Sequence, residues 1–428
     1  MKKQHLAGLL AAAFLLTLTL SGCGLLVATE ASRGENLMEG IAGTTITISP
    51  PPEEGLNTKP AADFAVNLFQ SGMEQGENSL LSPFSVLCAL SLTANGAQGE
   101  TLDQMETVLG MSTQELNEFL YWYSRQLSQG EDYTLHLANA IWFRDDPSLT
   151  VKQDFLQTNA DYHGADTYKA PFDNGTKDAI NQWVEERTDG MISDILDEIP
   201  KEAALYLVNA LAFDATWASI YYDYEVRDDV FTTEDGKKQD AQLMWSTEFR
   251  YLEDELATGF VKYYQDEAYA FVGLLPREGV SMSDYIVSPS MTGESLLNLL
   301  ETSTNEEVIV AIPKFESQYH VLLNETLMGM GIRDAFDDKK ADFGAMVNVE
   351  DLNIFIRRVI HKTFIAVDEQ GTRAGAATLV EMVAESAAPP EDEPEPKEVI
   401  LNRPFVYMII DCSTNLPLFM GTTMTLTE

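Results

Sequence analysis

The chain has 428 residues, 45% of them hydrophobic, which is the balance of a packed globular protein. Its 27 Lys+Arg stand against 68 Asp+Glu, a formal net charge of −41. Such a field repels nucleic acid and anionic lipid surfaces, so no nucleic-acid partner is expected.

The first 22 residues read as a targeting segment. Lys2 and Lys3 form a basic start, an apolar run follows from Leu6 to Leu20, and Leu20-Ser21-Gly22-Cys23 closes it. That ending resembles the lipobox of bacterial lipoproteins, in which Cys23 would carry the lipid. The alternative is an ordinary cleaved signal with a chance cysteine; the run is short for a membrane span. The expected location is therefore outside the cell, lipid-anchored at a bacterial surface or envelope, with the membrane as one partner through Cys23. The expected divisions are a signal peptide over 1–22, a lipidated cysteine and flexible tether over 23–59, and one domain over 60–428. Pro50-Pro51-Pro52 before Glu53-Glu54 suits an extended tether. Beyond Cys23 only Cys88 and Cys412 remain, too few for a disulfide scaffold. Both read as buried free thiols, with a bridge between them as the alternative.

From Ala61 the pattern becomes helical, with Phe64, Leu68 and Phe69 on one face. Ser82-Pro83 ahead of an apolar run predicts a helix with Ser82 as its cap and Pro83 as its first residue. A further helix is predicted over Thr176–Arg187, with Ile180, Trp183 and Val184 sharing a face and Gly190 as its stop. Strand-like runs are Leu135–Phe143, Leu205–Phe213, Ala268–Leu275, Val308–Ile312, Asn353–Ile356, Phe364–Val367 and Pro404–Ile410. Helices and strands interleave without a regular βα alternation, which predicts one large α+β domain. A monomer is expected.

The sequence carries no motif of catalysis: no His-Glu-x-x-His, no Gly-x-Ser-x-Gly, no phosphate-binding loop and no Cys-x-x-Cys. A triad of Ser386, His361 and Asp368 can be drawn, but no local context supports it. The expectation is a protein that is not an enzyme and that needs neither a cofactor nor a metal.

The segment from Asn78 to Ser85, with Gly96-Ala97 and Thr101, resembles the second helix region of serpins. Further matches arrive in that family's order: LANAIWF (137–143), INQWVEERTDGMISDIL (180–196), LVNALAFDATW (207–217), YAFVGLLPREG (269–279), IPKF (312–315), GMGIRDAF (329–336), HKTFIAVDEQGT (361–372), RPFVYMIID (403–411) and LPLFMG (416–421). The resemblance implies the serpin fold, a helical domain around three β-sheets with an exposed reactive-centre loop, here about 369–402. It implies that Ser82, Ser85, Asn209 and His361 form a polar cluster where the main sheet must part. It places Trp217, Lys314 and Glu369 where the loop enters. The family's Lys-Gly ahead of the tryptophan is Asp214-Ala215 here.

The resemblance also implies an inhibitor of extracellular serine proteases, held in a covalent complex with its target. The alternative is a non-inhibitory member acting as a surface binding lipoprotein. The hinge would be Glu369, Gly371, Thr372, Ala374, Ala376, Ala377 and Thr378. Gly371 suits a pivot because its backbone is permissive. Taking Thr372 as inward, Ala374, Ala376, Thr378, Val380, Met382 and Ala384 follow on the same face and none is charged. Arg373, Glu381 and Glu385 all fall on the other face, as a strand destined for a sheet interior requires. The family's usual count from Gly371 puts the scissile bond at Glu385-Ser386, suited to a glutamate-preferring protease. A slip to Val383 or Ala384 would suit an elastase-like one. The Pro- and Glu-rich run 389–396 lengthens the loop beyond the family's usual and leaves that count open.

Overall fold

The computed structural model describes residues 33–44, 51, 55–127, 129–200, 203–349, 354–372 and 396–426. Its centre is a seven-stranded sheet built from β1 (Glu35–Asn36), β2 (Tyr133–Arg144), β3 (Asp166–Ala170), β4 (Leu205–Thr216), β5 (Phe315–Leu322), β6 (Val359–Val367) and β7 (Gly371–Thr372). The order across the sheet is β1-β3-β2-β4-β7-β6-β5. Strand β4 is apolar on both faces because both are covered, so it reads as a run rather than an alternation. A six-stranded sheet (Ser79–Leu81, Leu416–Thr423, Phe405–Asp411, Tyr269–Pro276, Ala257–Tyr263 and Arg250–Glu253) lies behind it. A four-stranded sheet runs Lys397–Ile400, Val308–Pro313, Lys238–Glu248, Val226–Thr232.

Helix α1 (Lys59–Gly72) and helix α2 (Pro83–Ala94) fill the space behind the main sheet. All of α2 is buried, which suits its hydrophobic circumference, and it packs on β2, β4 and the strand Leu416–Thr423. Ser82 caps it as expected, its hydroxyl accepting from the Ser85 N–H at 3.4 Å. On the opposite face, α3 (Asn174–Arg187), capped by Asp173, covers β2 and β4 over a second core. There Trp142 is stacked on Tyr168 and meets Trp183 edge-on at 5.3 Å. Gly190 follows with φ 77°, in the left-handed region that ends helices.

Two expectations change. Ile354–Ile356 is not a strand: it is irregular chain in which Ile354 and Ile356 are buried anchors and the Ile356 N–H donates to Ala335 O. Alternating burial alone cannot tell such an anchored segment from a paired one. Part of the segment read as tether is docked: β1 adds to the edge of the sheet beside β3, and Leu37, Met38 and Ile41 pack against the core. Cys88 is buried and Cys412 half-buried, both free thiols. No helix among the described residues is long and apolar enough to cross a membrane.

Candidate functional site

Strands β4 and β6 pair directly only from Val359↔Leu207 to Lys362↔Ala210. Beyond that point they diverge, and β7 occupies the space at the far end, with Gly371↔Thr216 and Thr372↔Ala215 on one side and Val367↔Thr372 on the other. The chain thus leaves β6, turns at Asp368–Gln370, and re-enters the sheet as the first rung of a further strand. The turn is set by Asp368, whose carboxylate accepts from the Gln370 N–H at 2.7 Å and the Gly371 N–H at 3.2 Å.

Gly371 does not use left-handed backbone angles here. Its need for glycine is one of space: a Cβ would stand 2.0 Å from the Ala215 carbonyl oxygen. Thr372 is fully buried, and its hydroxyl pairs with the Tyr264 hydroxyl at 2.5 Å. It is therefore inward, the phase on which the alternation of the following residues was read. Trp217 is also fully buried and holds the turn twice, its backbone N–H donating to Gln370 O and its indole N–H to Asp368 O, both at 2.9 Å. The Tyr221 N–H donates to Glu369 O at 2.9 Å. Lys314 reaches the Glu369 carboxylate at 2.7 Å. Partial burial pulls that carboxyl up, but the Lys314 hydrogen bond, a backbone N–H and the Lys314 charge together outweigh it and hold Glu369 below the usual range.

These residues rest on a floor that sequence reading did not find. Trp217 stacks on Tyr264 with ring centroids 4.5 Å apart. Lys262, almost wholly buried, lies 4.5 Å from the centre of the Tyr221 ring and pairs with Glu248 at 2.8 Å. Burial alone would lower the Lys262 ammonium; Tyr221 and Glu248 more than offset it and keep it charged. Because Lys314 and Glu369 are each about one-third exposed, a double-mutant cycle with Lys314→Met and Glu369→Gln, read by thermal unfolding, is expected to show a coupling of only about 0.5–1 kcal/mol.

The polar cluster lies at the closed end of the opening. Asn139, Asn209 and His361 occupy one level of three adjacent strands. The Asn209 amide donates to Ser85 O at 2.8 Å and to Asn139 Oδ1, and its own oxygen accepts from the Ser85 hydroxyl. The Ser82 N–H donates to His361 Nε2 at 3.0 Å, so the ring proton sits on Nδ1. Ser82, Ser85, Asn209 and His361 are thus brought together as expected, and Asn139 joins them unannounced. The signal for it was present: like Asn209, it is an amide inside an apolar strand.

Complete burial pushes the His361 imidazole down to about 3, so it is neutral in the fold, and burial likewise takes His163 to about 4. Unfolded histidine titrates near 6.5, so below that pH the unfolded chain binds more protons. Stability is therefore expected to fall as pH drops from about 6.5 toward these lower values, by up to about 1.4 kcal/mol per pH unit for each histidine. Thermal unfolding between pH 7.5 and 4.5 checks this, with His361→Gln expected to give a shallower fall.

Ala374, Ala376, Ala377, Thr378, Val383, Ala384, Glu385 and Ser386 lie outside the described residues, as does Cys23. No group of three or more potential metal ligands occurs among the described residues.

The comparisons with known proteins agree with a sheet that has an entry point for its own loop. The model of the family "Serpin (serine protease inhibitor)" matches residues 59–426. The thermophilic serpin tengpin in its native state is 42% identical, with a TM-score of 0.86 over 92% of this chain and 100% of its own. An uncharacterized serpin-like protein of Thermococcus kodakarensis is 31% identical over 84% of each chain. Human leukocyte elastase inhibitor is 27% identical, covering 84% of this chain and 96% of its own. The chain belongs to the serpin family, whose inhibitory members bind proteases and do not catalyse a reaction of their own.

Proposed function

We propose that this chain inhibits an extracellular serine protease as a suicide substrate. The protease cleaves the loop, becomes acyl-bound, and is carried away as the loop inserts between β4 and β6. One observation carries the reading: Gly371–Thr372 is seated between those strands with Thr372 inward, and in the sequence every residue on the parity of Thr372 through Ala384 is uncharged. Inserting about fourteen residues at ~3.3 Å each makes a strand of roughly 45 Å. At about 1 kcal/mol net per new backbone hydrogen bond, insertion releases on the order of 10 kcal/mol. That is comparable with the about 5–15 kcal/mol by which a folded protein is ordinarily stable.

The Glu385-Ser386 bond, or a slip to Val383 or Ala384, assigns the target to the glutamate-preferring or elastase-like enzymes, and the relation to leukocyte elastase inhibitor supports the second. Anchoring through a lipidated Cys23 would hold the inhibitor at the cell envelope. The test is a gel of the mature chain with elastase-like, trypsin-like and Glu-specific proteases. An inhibitor gives an SDS-stable complex with at least one of them. If every protease gives only a clipped band, the chain is a substrate and the reading fails. Sequencing the released C-terminal peptide fixes the bond.

A further inference from the structure

The N-terminal tether and the loop leave the main sheet at opposite ends. Strand β1 pairs with β3 through Glu35↔Lys169; Lys169 lies level with Phe143 of β2, and Phe143 faces Leu205 of β4. Thr372, at the head of the loop, pairs with Ala215 of the same β4. Ten residue steps separate Leu205 from Ala215, about 33 Å of strand. Arg33 clamps the point of attachment, its guanidinium 2.5 Å from the Glu186 carboxylate on α3. From Cys23 to Arg33 there are ten steps more, which span at most about 35 Å whatever path the chain takes.

Charge separates the two ends as well. Toward the closed end Lys169 pairs with Asp145 at 3.4 Å, Lys177 in the first turn of α3 with Asp178 at 3.2 Å, and Arg358, just ahead of β6, with Glu198 at 3.1 Å. At the loop end Glu131 and Asp132 precede β2, Asp214 lies across from Thr134, and Glu369 sits in the turn beside Lys314. Surface ion pairs ordinarily add little to stability, and an added edge strand ordinarily serves only to cover a sheet edge. Here the edge strand also decides where an anchor leaves the body. An anionic lipid surface repels an acid-rich pole more than a neutralised one, over about 10 Å at 0.1 M salt. We propose that the closed end of the main sheet is the pole that faces the membrane, and that the partner it fits is an anionic lipid surface. The tether keeps this end within reach of the bilayer, and repulsion of the loop end sets the tilt. The loop thereby stands away from the lipid, toward a protease arriving from solution. The proposal rests on lipidation of Cys23 and not on whether the loop inhibits.

The probe is a vesicle of phosphatidylethanolamine and phosphatidylglycerol with an acceptor dye on its headgroups, carrying the full mature chain. Cys412→Ser leaves Cys88, which is buried, as the native thiol of the body. A donor dye is then attached through Asn174→Cys, at the exposed first residue of α3, or through Glu131→Cys, on exposed chain beside the loop entry. Energy transfer from position 174 is expected to exceed that from position 131 several-fold. Gly34, with φ 88°, has no room for a side chain, because a Cβ would run into the Lys169 carbonyl oxygen. Gly34→Val is therefore expected to release β1, lengthen the tether and shrink the difference between the two positions. Comparable transfer from both positions in the parent chain, or the reverse order, overturns the proposal. So does a difference that Gly34→Val leaves unchanged. The mass of the purified chain keeps this apart from the anchoring reading. A chain with no lipid on Cys23 overturns both, whereas a lipidated chain with comparable transfer overturns the orientation alone.

Discussion

Gly371→Val is expected to turn the protein from an inhibitor into a substrate. A side chain at 371 would begin 2.0 Å from the Ala215 carbonyl oxygen, a backbone atom of the central strand that cannot step aside without breaking the ladder. The variant must expel Gly371–Thr372 from the sheet, losing the pairings to Thr216 and Ala215, and the block remains after cleavage because the inserted strand passes the same point. The loop should still be cut at the same bond. The SDS-stable complex should vanish, and the cleaved protein should lack the large rise in unfolding temperature that insertion of a whole strand brings. Complex formation at the parent stoichiometry would show that strand addition does not proceed through this register.

Thr372→Arg tests the same step by charge instead of space. Thr372 is fully buried against Tyr264, so an arginine there would be an unpaired buried cation, a penalty of several kcal/mol before any further residue enters. Cleavage should persist and trapping should fail. Thr372→Val is the control: it leaves the Tyr264 hydroxyl without its partner at a cost of about 1–3 kcal/mol, which is small beside the on-the-order-of-10 kcal/mol released by insertion, so trapping should survive. If the arginine variant traps as well as the parent, the inward phase of the loop is wrong.

Much of the fold was legible because its signals are local or serial. The Ser82 cap, the helix ending at Arg187 and the apolar strands Leu135–Phe143 and Leu205–Phe213 each announce themselves within a few residues, and the ordered family segments joined them into one architecture. The phase of the hinge was legible too, since parity is a one-dimensional property. What failed to show was whatever depends on partners far along the chain. Tyr264, Tyr221 and Lys262 hold the turn only because two segments far from it in sequence meet beneath it, and nothing near any of them in sequence says so. Ile354–Ile356 imitated a strand because its buried positions alternate, although no strand among the described residues pairs with it. Asn139 stood in plain sight, yet an amide in an apolar strand gains meaning only from Asn209 across the ladder.

The single rung between Val367 and Thr372 has a kinetic meaning. Starting a strand is ordinarily the slow event, because the chain must give up its freedom before the first hydrogen bond rewards it. Here the turn at Asp368–Gln370 has already closed, and the opening between β4 and β6 is already primed at one end. On the proposed mechanism, once the loop is cut the strand would need only to grow, one residue at a time, from a nucleus that folding put in place. The acyl bond to a protease survives only until water reaches it. On the proposed mechanism the chain would win that race through the head start built into its resting state.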